Sequence, residues 1–174
     1  FIRSQLLDAE ITEDIPSGSG QQLICFGSGK IIPKETLDSW DVAINFHAAS
    51  PAYPGRDPHH WAVYDGARNY GATVHAMWSE VDAGPIYGQL GKVTKGTLTP
   101  DDYKEIGETA MYSLFSSWCS SPSDFCLESG IEWSGTKRAR RHLLEMCDMR
   151  GLGNDEKLRR KRAFIGFEDH FIED

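Results

Sequence analysis

The 174-residue chain lacks several features that would place it in a specialised class of protein. No stretch approaches the roughly 20 consecutive apolar residues that a membrane-spanning helix needs. The sequence begins Phe1-Ile2-Arg3, without a Met and without a secretory pattern. We find neither internal repeats nor low-complexity segments. We therefore expect a cytoplasmic protein without a membrane partner, whose true start is missing or processed, and one domain with a sizeable core.

Cysteine is scarce, and metal-binding signatures are missing. The four cysteines, Cys25, Cys119, Cys126 and Cys147, form no Cys-x-x-Cys pair and no disulfide framework. We expect reduced thiols, although a disulfide between Cys119 and Cys126 stays open. No His-Glu-x-x-His or similar spacing occurs, so we expect no metal.

Positive charge is concentrated near the C-terminus of an otherwise acidic chain. The net charge is −8, yet residues 137–162 hold ten Lys or Arg and four Asp or Glu. Two readings stay open for this basic stretch: a solvated helical face, or a site for phosphate groups on a substrate. The pI near 5.2 argues against nucleic acid as the main partner.

Apolar runs alternate with helix signals along the chain. Val42-Ala43-Ile44 is typical of a buried strand, whereas Asp57-Pro58 and Thr99-Pro100 are typical of helix starts. A last helix is predicted over about 136–149. Strands that alternate with helices predict an α/β fold with a mostly parallel central sheet flanked by helices and a short helical C-terminal tail.

Asn45-Phe46-His47 is the most informative motif, because it directly follows the apolar run. Residues at i and i+2 of a strand face the same side, so Asn45 and His47 are expected to emerge together at the carboxyl end of a strand. Open α/β sheets place their ligand sites at this end. Asp82 lies 35 residues after His47, before Ala83-Gly84-Pro85, and is expected to orient or charge the histidine.

Several motifs occur in a fixed order between Leu23 and Gln89: Ile44-Asn45-Phe46-His47, Pro51-Ala52-Tyr53-Pro54-Gly55-Arg56, Trp61-Ala62-Val63, Gly71-Ala72-Thr73-Val74-His75 and Val81-Asp82-Ala83-Gly84-Pro85-Ile86. With these motifs the chain resembles the folate-dependent formyltransferases, which include glycinamide ribonucleotide, methionyl-tRNA and sugar-nucleotide N-formyltransferases. The resemblance implies a Rossmann-like domain that uses 10-formyltetrahydrofolate as the formyl donor.

The resemblance also implies a domain organisation. The family begins with a strand and a helix before Leu23, and this chain has only 22 residues there. We therefore expect an N-terminally short formyltransferase catalytic domain over residues 1–130. Residues 131–174 would form a helical, basic C-terminal extension that packs on the same domain.

The catalytic set implied by the resemblance is Asn45, His47 and Asp82. Attack of an amine on a formyl carbon creates a tetrahedral intermediate with an anionic oxygen. The Asn45 amide and a protonated His47 would donate hydrogen bonds to that oxygen. Asp82 would help to relay the proton from the attacking amine to the leaving nitrogen.

Further binding residues are expected around this set. The residues expected to contact the folate are Phe26, Gly27, Gly29, Lys30, Ile31, Ile32, Glu80 and Val81. Those expected to contact the substrate are Tyr53, Arg56 and His59. His75 is expected to be structural.

The leading interpretation is one-carbon transfer to a primary amine of a small-molecule substrate, with an amino-sugar nucleotide as the first choice. Alternatives are glycinamide ribonucleotide or methionyl-tRNA formylation, formyl-folate hydrolysis, and a non-catalytic interaction module with the same fold. A weaker alternative is a metal hydrolase that would use His47, His59 or His60, His75 and Asp82. Assembly with further copies of the chain stays open.

Overall fold

The structure, a computed structural model, describes residues 10–95, 98–122 and 128–174. The strands are β1 (Gly20–Phe26), β2 (Trp40–His47), β3 (Asn69–Ala76) and β4 (Ile86–Val93). The α-helices are α1 (Lys34–Leu37), α2 (Pro58–Asp65), α3 (Pro100–Ser120), α4 (Arg140–Met146) and α5 (Asn154–Ala163), and a 3-10 turn spans Glu168–His170. No helix in these ranges is both long and apolar enough to cross a membrane.

The predicted helix starts of α2 and α3 are confirmed. Pro58 is the first residue of α2, and Gly66 ends that helix in the left-handed region, with φ of 64°. Thr99 and Asp102 form a reciprocal capping box at the start of α3. The Asp102 amide donates to Thr99 Oγ1 at 3.2 Å, and the Thr99 amide donates to Asp102 Oδ2 at 2.8 Å.

The α/β architecture with a helix-flanked sheet is confirmed, but the prediction of a mostly parallel sheet is wrong. The strand order is β1-β2-β3-β4, and only β1 and β2 run parallel. β3 is antiparallel to both β2 and β4. Residues 77–85, which join β3 to β4, are too few for the crossover that parallel strands need. Helix α2 packs mainly against α3 and α5, so it does not cover the sheet between β2 and β3 as a crossover helix would.

Helix α3 covers one face of the sheet and buries the main core. The buried members of this core are Ile44, Phe46, Ala72, Val74, Ala110, Met111, Leu114, Phe115 and Trp118. Because side chains alternate along a strand, burial of Ile44 and Phe46 under α3 turns Asn45 and His47 to the opposite side. The same alternation on β3 turns Thr73 and His75 to that side.

The C-terminal tail is joined to α2 by a second apolar cluster. Trp61 of α2 packs with Leu143 of α4 and Phe164, all of them fully or almost fully buried. His60 Nδ1 donates a hydrogen bond to the carbonyl oxygen of Ala163 at 2.7 Å. The tail therefore makes both apolar and polar contacts with α2, while the division of the chain at residue 130 stays a prediction.

The tail differs in detail from its prediction. The helix expected over 136–149 is shorter and spans Arg140–Met146. Ala139 is extended, and Arg138 forms a parallel bridge with Gly55. Helix α5 was not predicted from the apolar pattern. Of the cysteines, Cys25, Cys119 and Cys147 are free, and Cys126 lies outside the described residues.

Candidate active site

A cavity of about 890 Å³ lies at the carboxyl ends of β1 and β2. Asn45 and His47 line it from β2, Asp82 lines it from the loop between β3 and β4, and His75 lines it from β3. The cavity thus brings together Asn45, His47 and Asp82, the three polar residues predicted from the sequence. Their catalytic roles are treated below as a proposal.

His47 is held by a backbone contact and faces Asp82. Its Nε2 donates a hydrogen bond to the carbonyl oxygen of Tyr53 at 3.1 Å. The Oδ2 atom of Asp82 lies 3.9 Å from the same nitrogen, within ion-pair distance but too far for a direct hydrogen bond. His47 therefore carries a proton on Nε2, next to the Asp82 carboxylate.

Asp82 is a buried carboxylate in an unusual backbone conformation. Its φ of 46° lies in the left-handed region, which aspartate adopts more readily than most residues. The Gly55 amide donates to Asp82 Oδ2 at 2.7 Å. Burial raises the pKa of Asp82, but the charge of His47, the hydrogen bond from His75 and the Gly55 amide outweigh it and lower the pKa to about 2. Asp82 is consequently ionised at neutral pH.

His75 is a site residue whose importance was not recognised from the sequence. It is 2% exposed and pairs with Asn45 across the β2–β3 register. Its Nδ1 donates to the carbonyl oxygen of Ala76 at 2.7 Å. Its Nε2 lies 3.1 Å from the Asn45 amide nitrogen and 3.3 Å from Asp82 Oδ1.

The two contacts of His75 Nε2 have opposite proton requirements. Without a proton, this nitrogen accepts from the Asn45 amide; with a proton, it donates to Asp82. His75 therefore contacts the amide and the carboxylate through the same ring nitrogen. The available sequence signal was a polar residue within the apolar part of β3. Only the strand register shows that this residue, His75, lies opposite Asn45.

Trp133 is the second site residue that was missed. Its indole Nε1 donates to the carbonyl oxygen of Gly84 at 2.9 Å. Its ring packs edge-on against His75 at 5.0 Å and lies 6.0 Å from the His47 ring. The C-terminal tail thus covers both histidines with one aromatic side chain.

Most residues expected to contact folate line this cavity: Gly27, Gly29, Lys30, Ile31, Ile32, Glu80 and Val81. Ile31 is 71% exposed, whereas Ile32 is buried in the core beneath it. Phe26 does not line the cavity, because strand alternation turns its ring towards Phe46 and Phe115.

Of the three residues expected to contact the substrate, two line the cavity and one does not. Arg56 and His59 line the cavity, and Arg56 donates to the carbonyl oxygen of Gly29 at 2.9 Å. Burial is the main reason that the pKa of His59 falls to about 4. Tyr53 is not part of the cavity wall, since its ring packs against Tyr70 while its carbonyl oxygen contacts His47.

The described ranges contain no group of three or more His, Cys, Asp or Glu side chains placed to hold a metal ion. His60, one candidate for the metal-hydrolase alternative, is occupied by its contact with Ala163. The geometry therefore offers that alternative no support.

Comparison with known proteins identifies the family. The sequence profile described as formyl transferase matches residues 1–116. The chain belongs to the formyl transferase family. Trp133 and the basic residues 137–142 lie beyond the matched segment.

Individual relatives match different shares of the chain. Methionyl-tRNA formyltransferase from Streptococcus thermophilus is 38% identical over 84 residues, which cover 42% of this chain and 27% of that enzyme. A 4-N formyltransferase from Francisella tularensis aligns in structure with 82% of this chain and 60% of its own, with a TM-score of 0.67 and 19% identity.

A third relative was solved with ligands. The N-formyltransferase from Helicobacter canadensis, in complex with folinic acid and dTDP-3-aminofucose, aligns with 87% of this chain and 57% of its own. Its TM-score is 0.63, at 18% identity. At this level of identity the two structural matches show a shared fold, and that fold extends over more of the chain than the sequence match does.

Proposed function

We propose that this chain transfers a formyl group from 10-formyltetrahydrofolate to the primary amine of a small molecule. The observation that carries the proposal is the convergence of Asn45, His47 and Asp82 in one cavity wall, beside the loop 27–32. Membership of the formyl transferase family supports the reaction type. An amino-sugar nucleotide is our first choice of acceptor.

The cavity has features that fit a folate. Ile31, Trp78 and Val81 are large apolar side chains that remain 71%, 58% and 41% exposed at the cavity. Exposed apolar groups of this size favour a flat, partly apolar ligand. Gly27 and Gly29 leave the loop backbone accessible at the same place. When bound, 10-formyltetrahydrofolate would supply the formyl group.

Asn45 and His47 would stabilise the charge that develops on the formyl oxygen. Both side chains line the cavity and carry N–H groups, and preorganised donors are usually the largest contribution to acyl-transfer catalysis. His75 would position the Asn45 amide, since its Nε2 lies 3.1 Å from the amide nitrogen. We therefore assign Asn45 and His47 to the reaction and His75 to positioning.

Asp82 would orient His47 and help to relay the proton from the attacking amine to the leaving nitrogen of the donor. Its carboxylate is ionised, buried and 3.9 Å from His47 Nε2. Only a small shift of the imidazole is needed to bring this pair into hydrogen-bonding range, and such contacts commonly tighten when ligand binds. The Gly55 amide and His75 keep the carboxylate in place during that shift.

Two observations support a small acceptor over tRNA. The chain is acidic, with a net charge of −8, which opposes a polyanionic partner. The structural likeness to the ligand-bound Helicobacter enzyme covers 87% of this chain, whereas the sequence match to methionyl-tRNA formyltransferase covers 42%. The matched solved enzyme binds an amino-sugar nucleotide, and we propose the same chemical class here.

The first test is calorimetric titration with folinic acid. We expect binding by the parent chain and a roughly tenfold weaker affinity in Ile31→Ser, because an exposed isoleucine that a ligand covers contributes about 1.5 kcal/mol or more. Ile165→Ser is the matched control, since Ile165 is 51% exposed and does not line the cavity. Absence of binding in a folded sample would contradict the proposal.

The second part of this test follows the products by mass spectrometry. Incubation with 10-formyltetrahydrofolate and dTDP-3-aminofucose should give a formylated sugar nucleotide. Glycinamide ribonucleotide serves as the competing acceptor. Release of formate without any formylated amine would instead identify a formyl-folate hydrolase.

A further inference from the structure

The cavity is also lined by cationic side chains that the proposed chemistry does not use. Residues 137–142, here called the basic segment, line the cavity together with Lys104 of α3 and Arg56. Four residues of this segment are Lys or Arg, although the chain as a whole has a net charge of −8. A concentration of cations in a concave surface of an acidic protein favours an anionic ligand there.

The basic segment is attached to the active site by its backbone. The Arg56 amide donates to the carbonyl oxygen of Arg138 at 2.7 Å, and the Arg138 amide donates to that of Pro54 at 3.0 Å. Gly55 lies between Pro54 and Arg56 and donates its own amide to Asp82. Residues 54–56 therefore contact the buried Asp82 carboxylate on one side and the basic segment on the other.

Gly55 makes this close approach feasible. Its φ is 98°, and a Cβ atom at this position would lie 2.1 Å from the carbonyl oxygen of Arg138. No side chain fits between the two backbones without moving one of them. The basic segment is thus a built part of the cavity wall, although it lies beyond the residues that match the family profile.

Some of the cations are already neutralised. Arg140 makes two hydrogen bonds to Asp57, at 2.6 and 2.7 Å, and Lys137 contacts Glu80 at 2.6 Å. Arg138 lies over the Trp61 ring, with its guanidinium carbon 4.2 Å from the ring centre. These three side chains therefore serve mainly to hold the segment in place.

Lys104 and Arg141 remain available. Within the described ranges, neither side chain has a carboxylate within 4 Å, and both are exposed at the cavity. Arg141 donates from Nε to His142 Nε2 at 3.3 Å, which leaves its terminal N–H groups for a ligand. Lys104 lies close enough to His59 to lower the pKa of that histidine, together with the larger effects of burial and His60. Glu108 lines the same cavity and would oppose an anion there, so the site depends on both cations.

We propose that Lys104 and Arg141 bind the phosphate or diphosphate group of the amine acceptor. A planar guanidinium and a mobile ammonium suit a phosphate, which offers several charged oxygens to both at once. This subsite would hold the acceptor by its phosphate so that its amine reaches the wall formed by Asn45 and His47. The assignment of the bound molecule as the acceptor rests on the proposed formyl transfer, whereas the anion site itself does not.

The experiment is calorimetric titration of the full chain with inorganic pyrophosphate. We expect binding by the parent chain and at least a tenfold rise in Kd for the Lys104→Gln/Arg141→Gln variant, because charge-assisted hydrogen bonds are lost. Arg162→Gln is the control, since Arg162 is an exposed cation of the same tail that does not line this cavity. Its Kd should stay close to that of the parent chain.

Three outcomes would overturn the subsite: no binding by the parent chain, unchanged affinity in the double variant, or an equal loss in Arg162→Gln, which would indicate general attraction only. Ribose 5-phosphate and uridine diphosphate, titrated in the same way, distinguish a monophosphate from a diphosphate source. Folinic acid titrated into the same samples separates the two proposals. Folinic acid binding without pyrophosphate binding contradicts only the subsite, and the reverse result contradicts only the formyl transfer.

Discussion

The cavity wall formed by Asn45, His47, His75 and Asp82 contains a buried carboxylate between two histidines, whereas the wall formed by Lys104 and the basic segment contains exposed cations. In the first wall, Asn45, His47, His75 and Asp82 contact one another or nearby backbone groups, and the low exposure strengthens these electrostatic interactions. In the second wall, Lys104 and Arg141 of the proposed subsite face outward. In the proposed function, reaction chemistry and acceptor recognition place opposite demands on exposure, and different segments of the chain would meet them.

Removal of His47 should give the largest effect. We expect His47→Ala to lower kcat about 10²–10⁴-fold, since a positioned general acid–base group contributes an effect of this size. Steady-state kinetics with saturating donor would measure it, and folinic acid affinity should be retained. His170→Ala, at an exposed position in the last turn, should keep the parent rate. A normal kcat in His47→Ala would contradict the proposed catalytic role of His47.

Loosening of the tail should give the next largest effect. Leu143 is fully buried between Trp61 and Phe164, so Leu143→Ala should lower the free energy of unfolding by about 2–5 kcal/mol. Urea denaturation followed by tryptophan fluorescence would measure the change. Leu158→Ala is the control, because Leu158 is 58% exposed and its loss should cost less than about 0.5 kcal/mol. Equal small losses would mean that the tail does not depend on this cluster.

The pH dependence of stability should show the smallest effect of the three. The pKa of Asp82 is lowered to about 2 in the folded chain and is about 3.9 in an unfolded one. Because the folded pKa is the lower one, ionised Asp82 stabilises the fold above about pH 4, and this contribution of about 2 kcal/mol disappears as the pH falls towards 2.

The measured quantity is the difference in unfolding free energy between the parent chain and Asp82→Asn as a function of pH. We expect this difference to shrink steadily as the pH falls from about 4 to about 2. A difference that stays constant over this range would mean that the carboxylate of Asp82 is not held ionised by its neighbours.

Local signals allowed part of the fold to be predicted. Pro58 and Gly66 bound α2, and Thr99 starts α3, because caps and turns depend on a few adjacent residues. Helix α5 was missed because Asn154–Ala163 is almost entirely polar, and even Leu158 is exposed. Strand direction was predicted wrongly because it depends on where a connecting helix packs, which alternation alone does not reveal.

The site was predictable to a similar extent. Asn45, His47 and Asp82 were recognised from motifs in order, and the structure brings them into one cavity. The pairing of His75 with Asn45 needed the antiparallel register, and the position of Trp133 needed the tail. Phe26 and Tyr53 turned away from the cavity because core packing took their rings.

The sequence by itself determined the family, the turns and the residue types suited to acyl transfer, since these depend on short-range order along the chain. Only the tertiary structure decided which partners those residues have. Asp82 is ionised because Gly55, His47 and His75 surround it, although they come from different segments. The basic segment reaches the cavity because Gly55 lets two distant backbones touch. Burial and long-range hydrogen bonds of this kind arise from packing, which no local pattern specifies.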